Sequence, residues 1–266
     1  MSYFGFLLRF VVIPIVMLLG VALWDRQQGR KRASSLRSWP VWSAIGLHII
    51  IALLYTTPWD NYLVATGVWW YDPALVTGLT LGWVPIEEYT FFILQTLLAG
   101  LWLAFLARRL EFKDQSMPAP LRLWLPAFLG GVWLIAVLTL ASGFAPGTYM
   151  ALVLVWALPP IALQLLFGAD ILWRYRRIVL LSIIPLTLYL SAADSLAIGW
   201  NTWTIDPEQS FHILLGGVLP IEEFVFFLIT NTLLTFGIVL VWAEESHERL
   251  AVIKQQWGRR IKRSAV

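Results

Sequence analysis

The sequence contains no cysteine among its 266 residues. A disulfide framework and a thiolate zinc site are therefore both excluded. Charged side chains are also scarce, at 13% of the residues, whereas about 25% is usual in a soluble domain. Because 59% of the residues are hydrophobic, the chain has more apolar surface than a soluble core of this size uses. These shortages predict an integral membrane protein.

Seven apolar runs are long enough to cross a bilayer, which takes about 20 residues. They cover roughly residues 3–24, 40–57, 84–107, 123–141, 149–172, 178–199 and 217–242. A basic stretch, not a small-residue cleavage site, follows the first run, so we expect a membrane helix there and no signal peptide. The fold predicted is an all-α integral membrane protein of about seven transmembrane helices.

The loops between these runs differ in charge. Loops near 58–73, 142–148 and 200–210 contain no lysine or arginine, while basic clusters follow the first, third, fifth and seventh runs. The positive-inside rule then predicts a cell-membrane protein with its N-terminus outside and its C-terminus in the cytoplasm. Since basic residues are confined to short segments, we expect no nucleic-acid partner. The uncharged loops carry residues typical of an interfacial aromatic belt, namely Trp59, Trp69, Trp70, Tyr71, Trp200 and Trp203.

Two of the apolar segments are too long for a simple crossing. As one helix, residues 74–107 would extend about 51 Å, against a hydrocarbon core of about 30 Å. Pro85 interrupts this segment, and Pro220 interrupts the later one at the same place. Because proline removes a backbone donor and disfavours helix just before it, we predict a short helix or re-entrant piece, a break, and then the span. The upstream Asp-Pro pairs at 72–73 and 206–207 are predicted to be helix-entry caps.

The sequence contains an internal repeat. Leu81 to Glu88 reads LGWVPIEE and Leu215 to Glu223 reads LGGVLPIEE. Aligning the prolines places the phenylalanines at 91–92 on those at 226–227. With one residue of slippage, the upstream matches are Asp72-Pro73 with Asp206-Pro207, Trp69 with Trp203, Asp60 with Asp194 and Tyr55 with Tyr189. A single span between two three-span units returns the chain to its starting side, which predicts parallel repeats joined by a linker helix. We divide the chain into units 1–115 and 148–266, with residues 116–147 as the linker.

Four glutamates follow the two prolines in apolar surroundings: Glu87, Glu88, Glu222 and Glu223. Placing a carboxylate in a bilayer costs roughly 2.5–3.5 kcal/mol, which makes these residues catalytic candidates. Solvation at the outer headgroup level is the alternative. Adjacent helical residues point about 100° apart, so the two members of a pair cannot both face one spot. A carboxyl beside another in an apolar pocket can stay protonated and donate a proton.

Other candidates are less distinctive. Asp60 and Asp194 lie at the outer ends of spans and could equally be ordinary interfacial residues. The phenylalanine pairs at 91–92 and 226–227 could serve packing or ligand contact. His48 has no matching histidine in the second unit, and we interpret it as buried packing.

The two PIEE segments resemble the motif of the membrane lycopene cyclases of the bacterial heterodimeric and fungal type. Each three-span unit of that family carries P-x-E-(E/D), and the units occur as separate subunits or fused. The motif falls on Pro85, Glu87 and Glu88, and on Pro220, Glu222 and Glu223. The resemblance implies primary catalytic roles for Glu87 and Glu222, tuned by Glu88 and Glu223. Expected structural prolines are Pro85 and Pro220, and expected substrate contacts are Asp60, Trp69, Phe91, Phe92, Asp194, Trp203, Phe226 and Phe227.

The reaction that the resemblance implies is redox-neutral closure of the acyclic ends of lycopene into β-type rings. It needs an acid, a base and aromatic faces, and we expect no cofactor and no metal. No G-x-G-x-x-G fingerprint occurs in the sequence. The expected partners are a lipid-soluble carotenoid, membrane lipids and other enzymes of carotenoid synthesis. An end-group hydratase, a cyclase of C50 carotenoids and a non-enzymatic carotenoid-binding or transport protein are the alternatives.

Two other classes of membrane protein lack support in the sequence. A retinal-binding receptor or pump needs a lysine inside a span, but Lys31, Lys113, Lys254 and Lys262 all lie outside the apolar runs. A membrane prenyltransferase needs aspartate motifs of the D-x-x-x-D kind, and the sequence contains none.

Overall fold

The computed structural model describes residues 1–112 and 117–264. Residues 257–264 are described by their backbone alone. Within these ranges, seven helices are long and apolar enough to cross a membrane, as predicted. They are α1 Tyr3–Gln27, α2 Val41–Ala65, α3 Ile86–Ala107, α4 Leu121–Ser142, α5 Thr148–Arg174, α6 Arg176–Gly199 and α7 Ile221–Trp242. A further helix, α8, covers Glu244–Ser264. The largest difference from the predicted runs is in α2, which continues through Pro58 to Ala65.

The division into two units stays a prediction. Lys113 and the expected boundary between residues 115 and 116 lie outside the described residues. The second expected boundary coincides with the start of α5 at Thr148.

Two β-hairpins precede α3 and α7. In the first, β2 (Thr80–Leu81) pairs with β3 (Val84–Pro85). In the second, β5 (Leu214–Leu215) pairs with β6 (Leu219–Pro220). The predicted break at each proline is confirmed, since α3 and α7 begin at the next residue. The short helix predicted before each break is wrong, because a hairpin lies there, and the alternative of a re-entrant piece stays a prediction. The chain turns there through glycines in left-handed conformations, with φ of +70° at Gly82, and such residues suit tight turns better than helices.

A third pair of strands joins the loops that follow α2 and α6. β1 (Trp69–Tyr71) pairs antiparallel with β4, which covers Trp203–Ile205. Asp206 begins the 3₁₀-helix Pro207–Gln209 and accepts a hydrogen bond from the backbone of residue 208, so its predicted role as a cap is confirmed. Asp72 accepts a bond from the backbone of residue 74 but caps a turn, because a hairpin follows it instead of a helix.

The two ends of the helix bundle differ in their contacts. At one end, the Thr202 hydroxyl donates to the carbonyl of Met1 at 2.8 Å, which ties the start of α1 to the loop after α6. At the other end, the carboxylate of Asp25 lies 2.8 Å from both Arg108 and Arg109. The N-terminus therefore lies opposite the basic residues that follow α3, as an odd number of crossings requires.

Helices α3 and α7 stand side by side in the bundle. Gln95 of α3 donates from Nε2 to the Thr230 hydroxyl of α7 at 3.2 Å. Helix α2 packs closely against both of them. A Cβ atom at Gly100 would lie 2.5 Å from Ile45, and one at Gly237 would lie 2.2 Å from the His48 ring. The first turns of α3 and α7 lie close together, since Glu88 and Glu223 line one cavity.

Candidate active site

A small cavity of about 40 Å³ lies where α3 and α7 begin. We call it the carboxyl cavity because four buried acidic side chains line it: Asp60, Glu88, Asp194 and Glu223. Among the described residues that line it, none is a lysine, arginine or histidine. Nor is any group of three or more histidine or acidic side chains in the described ranges arranged to hold a metal ion. The cavity thus concentrates carboxyl groups, which can donate or accept protons, within an apolar surrounding.

The two glutamates of each pair point in different directions, as the helix geometry predicts. Glu88 and Glu223 line the carboxyl cavity. Glu87 instead accepts a hydrogen bond at Oε1 from the backbone N–H of Thr77, at 2.6 Å. Glu222 likewise accepts a hydrogen bond at Oε1 from the backbone N–H of Phe211, at 2.8 Å, in the loop before the second hairpin. Of the four glutamates, Glu88 and Glu223 therefore line the cavity, and Glu87 and Glu222 hold the backbone of neighbouring loops.

Proline positions these glutamates. Pro85 and Pro220 are the residues directly before the first turns of α3 and α7, with extended backbone that ends each hairpin. A helix N-terminus has free N–H groups and a positive dipole end, which suits acidic residues in the first turn. Each P-x-E-E segment thereby carries its second glutamate to the edge of the cavity.

Tyrosine hydroxyls hold the two cavity glutamates. The Tyr3 hydroxyl donates to Glu88 Oε2 at 2.5 Å, and the Tyr149 hydroxyl donates to Glu223 Oε1 at 2.7 Å. The Tyr71 hydroxyl also donates to Glu88 Oε2, at 3.0 Å. Burial, with the nearby Glu88 carboxyl, raises the pKa of Tyr71 well above its usual range, so its hydroxyl keeps the proton that it donates. Glu88 thus has two phenol donors and Glu223 has one.

The two aspartates are buried, and their carboxyl oxygens make few hydrogen bonds in the described part of the chain. Asp60 is 1% exposed and Asp194 is 2% exposed, so the interpretation of both as ordinary interfacial residues does not fit. Asp194 Oδ1 accepts a hydrogen bond from the indole of Trp203 at 2.9 Å, but its Oδ2 has no partner in the described part of the chain. Neither carboxyl oxygen of Asp60 has one there. A buried polar atom without a partner costs about 1–3 kcal/mol, and each such atom in a native structure calls for an explanation.

Aromatic rings form most of the remaining wall. The six aromatic residues predicted to contact substrate all line the cavity, namely Trp69, Phe91, Phe92, Trp203, Phe226 and Phe227. Trp59 also lines it and stacks on Phe226 with ring centroids 5.8 Å apart. Aromatic faces attract cations, so this wall suits a positively charged intermediate.

The interfacial belt predicted from the loops is wrong for four of its six residues. Trp59, Trp69, Tyr71 and Trp203 turn inward and line the carboxyl cavity. The other two, Trp70 and Trp200, are exposed. Trp69, Tyr71 and Trp203 belong to the paired strands β1 and β4, which fold over the ends of α3 and α7. Trp59 lies on α2, which continues past the predicted run.

Sequence reasoning missed several of the residues that line the cavity, chiefly Tyr3 and Tyr149. A signal for them exists, because each stands at or next to the start of the first helix of its predicted unit. The repeat was aligned through its second and third spans, where the matches are densest, and this alignment does not reach either tyrosine. Phe6, Leu190 and Ile205 line the cavity as well and carry no distinctive pattern.

Comparisons with known proteins cover most of the chain. The family model described as lycopene cyclase matches residues 10–106 and 146–243. A lycopene beta-cyclase of Halobacterium salinarum is 39% identical over 243 residues, which cover 90% of this chain and 95% of that protein. A bifunctional lycopene cyclase/phytoene synthase of Podospora anserina is 36% identical over 206 residues, covering 74% of this chain and 34% of that protein. A protein of the same description from Colletotrichum graminicola is 37% identical over 204 residues, with coverages of 71% and 34%. No solved structure gives a significant match.

Proposed function

Because the chain belongs to the lycopene cyclase family, we propose that the carboxyl cavity is where this enzyme closes the acyclic ends of lycopene into rings. The enzyme is a multi-pass membrane protein and a carotenoid cyclase. A substrate that dissolves in lipid accounts for a reaction site among membrane-spanning helices. The description of the Halobacterium salinarum relative supports rings of the β type.

The chemistry needs one proton delivered and one removed. An acid protonates the terminal double bond, which leaves a carbocation on the neighbouring carbon. An internal double bond of the same chain attacks that cation, which forms the carbon–carbon bond of the ring and moves the charge into it. A base then removes a ring proton and restores a double bond, so the reaction has no net redox change. Acid–base catalysis of this kind contributes typically about 10²–10⁴-fold in rate.

The hydrogen bonds to the two cavity glutamates suggest how they divide these steps. Donors aimed at a carboxyl favour its charged form. Glu88 receives the hydroxyls of Tyr3 and Tyr71, and Glu223 receives that of Tyr149. We assign the base to Glu88 and the acid to Glu223 on this difference.

One step remains, the return of the proton from Glu88 to Glu223 between turnovers. Asp60 and Asp194 line the same cavity and carry oxygens without hydrogen-bond partners, so they provide carboxyl groups for that transfer as well as contacts to the substrate.

The observation that carries this proposal is that Glu88 and Glu223 face one shared cavity. Both glutamates then act on whichever end of the substrate is bound. Loss of either should block formation of both rings, and a one-ringed product is not expected to accumulate from either variant. Glu87 and Glu222 support the site by holding the loops over it.

The test is a set of four substitutions in a host that accumulates lycopene. Glu88→Gln and Glu223→Gln keep the size of the side chain but remove its acid–base function, so each should lower cyclisation by about 10²–10⁴-fold. Glu87→Gln and Glu222→Gln are the matched controls, because glutamine keeps an oxygen that accepts the same backbone N–H bond. Pigments are extracted and identified, with membrane abundance measured alongside. Full activity in the first two variants and loss in the controls would return the catalytic role to Glu87 and Glu222.

We further propose two parallel units, 1–115 and 148–266, joined by the helix in 116–147. The tyrosine–glutamate contacts support this, since Tyr3 with Glu88 is matched by Tyr149 with Glu223. So does the family match to two separate stretches of the chain. In the cell membrane, the N-terminus would lie outside and the C-terminus in the cytoplasm, which places reporters fused after residues 30, 175 and 255 in the cytoplasm. The fungal relatives, whose names include phytoene synthase, support contact with an enzyme of carotenoid synthesis.

A further inference from the structure

A second cavity, of about 190 Å³, lies beside the carboxyl cavity. We call it the side cavity. The two cavities share Phe92 and Phe226 as walls. The side cavity follows α2 from Thr56 to His48, a distance of about 12 Å at the helical rise of 1.5 Å per residue. It therefore leads away from the four carboxyl groups and toward the middle of the membrane.

The side cavity opens on the lipid-facing surface between α2 and α5. Ile51 and Tyr55 line it and are 50% and 42% exposed. At one edge of this opening, the Tyr55 hydroxyl donates to the carbonyl of Trp156 at 2.7 Å, which joins the two helices. Gln164 of α5 lines the cavity farther along and is half-buried. A molecule dissolved in the bilayer could thus enter the protein sideways.

Most polar groups of the side cavity are already satisfied by the protein. Gln95 donates to Thr230, and Gln164 donates from Nε2 to a backbone carbonyl of α7 at 3.0 Å. His48 is buried, as predicted, and its Nδ1 lies 2.8 Å from the carbonyl of residue 44. Two buried polar atoms that line it, Gln164 Oε1 and the Trp156 indole nitrogen, have no hydrogen-bond partner in the described part of the chain. The rest of the wall is mainly apolar and aromatic, which suits a hydrocarbon.

The corresponding position in the second half of the chain carries larger side chains. There the Tyr189 hydroxyl donates to a carbonyl of α1 at 3.0 Å, as that of Tyr55 does to α5. Where α2 carries Ala52, α6 carries Leu186, which is 6% exposed. Leu190 of α6 corresponds to Thr56 and is 1% exposed. Ala52 and Thr56 are smaller than these two leucines and leave more room on the α2 side.

We infer that the side cavity holds the linear conjugated chain of the substrate while one of its ends lies in the carboxyl cavity. The inference rests on the proposed function of the carboxyl cavity. The hydrocarbon chain passes Phe92 and Phe226 and leaves the protein between α2 and α5. An extended carotenoid is longer than the side cavity, so its far end stays in the bilayer. The two ends of one molecule then reach the carboxyl groups by this same route, in separate binding events.

The test narrows the side cavity without touching the carboxyl groups. Ala52→Phe places a ring inside it. Leu54→Phe is the matched control, because it adds a ring to the same helix at a position that is 73% exposed. Cyclised product per unit of protein is measured in vesicles loaded with lycopene. A second measurement combines each of these two changes with Glu88→Gln, which should prevent turnover. The carotenoid that remains bound to each double variant through purification then reports on binding alone.

We expect Ala52→Phe to lower both product and retained carotenoid by at least about tenfold, since a misplaced substrate can lose about 10²-fold in rate. Leu54→Phe should leave both near the level of its parent protein. Equal product and equal retained carotenoid in Ala52→Phe and Leu54→Phe would overturn the inference. If the Ala52→Phe protein does not accumulate in the membrane, Ile51→Trp at the exposed opening takes its place. It is compared with Leu54→Phe by the same two measurements. A fully active Glu88→Gln protein would refute the proposed catalytic role of Glu88. The comparison of product between Ala52→Phe and Leu54→Phe would still test the side cavity.

Discussion

Removing the hydroxyl of Tyr149 should slow cyclisation more than removing the hydroxyl of Tyr3. The Tyr149 hydroxyl is the one side-chain donor to Glu223 among the described residues. The carboxyl that Tyr3 contacts also accepts a bond from Tyr71, which remains when Tyr3 is changed. A hydrogen bond to a charged group contributes about 1.5–3 kcal/mol, and each 1.36 kcal/mol is a factor of ten in rate. Tyr149→Phe should therefore lower the rate by about 10- to 150-fold, and Tyr3→Phe by less.

Phenylalanine keeps the ring and so keeps its packing. The Tyr3 ring stacks on Tyr71 with centroids 6.0 Å apart and lies 4.9 Å from Trp203, and Tyr149 packs against Trp69 at 5.4 Å. The assay is the initial rate in vesicles over a range of lycopene concentrations. We expect kcat to fall with KM nearly unchanged, because a hydroxyl that orients a carboxyl acts on the proton transfer and not on substrate binding. A Tyr149→Phe enzyme with the parent kcat, or a larger loss in Tyr3→Phe, would refute this reasoning.

Two further predictions concern stability, measured as the melting temperature of the purified protein in detergent. Gly100→Ala should destabilise the bundle, because its Cβ would lie 2.5 Å from Ile45 and overpacking costs about 1–3 kcal/mol, while Gly131→Ala meets no atom within 4 Å and should not. A Gly100→Ala protein as stable as Gly131→Ala would contradict the close approach of α2 and α3. Asp25→Asn should cost about 1.5–3 kcal/mol, since it removes the charge from the group to which two arginines donate. Arg30→Gln is its control, because Arg30 is exposed and 3.8 Å away from that carboxylate, and equal losses in the two variants would contradict the assignment.

The transmembrane helices could be predicted from the sequence because the bilayer fixes the length of each one. The break at Pro85 was equally predictable, since proline limits its own backbone and that of the residue before it. The hairpin before it was not, because two-residue strands leave no periodic pattern. Its turn depends on a left-handed Gly82, whose neighbours Leu81 and Trp83 look like membrane helix by hydropathy.

The site was partly predictable. Helix geometry indicated that one glutamate of each pair would face the cavity, but the choice between Glu87 and Glu88 depends on what packs against α3. One of the two hydroxyls that hold Glu88 comes from a residue 85 positions away, and the one that holds Glu223 comes from 74 positions away. No local pattern carries such information. The same limit applies to Trp69, which turns inward only because β1 pairs with β4 from the other half of the chain.

Duplication alone would produce two equivalent glutamates, yet ring closure needs one group that gives a proton and another that takes one. The two halves differ at the positions that matter for this. Tyr71, the second donor to Glu88, corresponds to Ile205 in the other half, which offers no hydroxyl to Glu223. Ala52, in the wall of the side cavity, corresponds to Leu186, which agrees with the proposed route to the bilayer on the α2 side. These two exchanges make the environments of Glu88 and Glu223 unequal, and that inequality fits the proposed roles of base and acid toward a substrate that enters from one side.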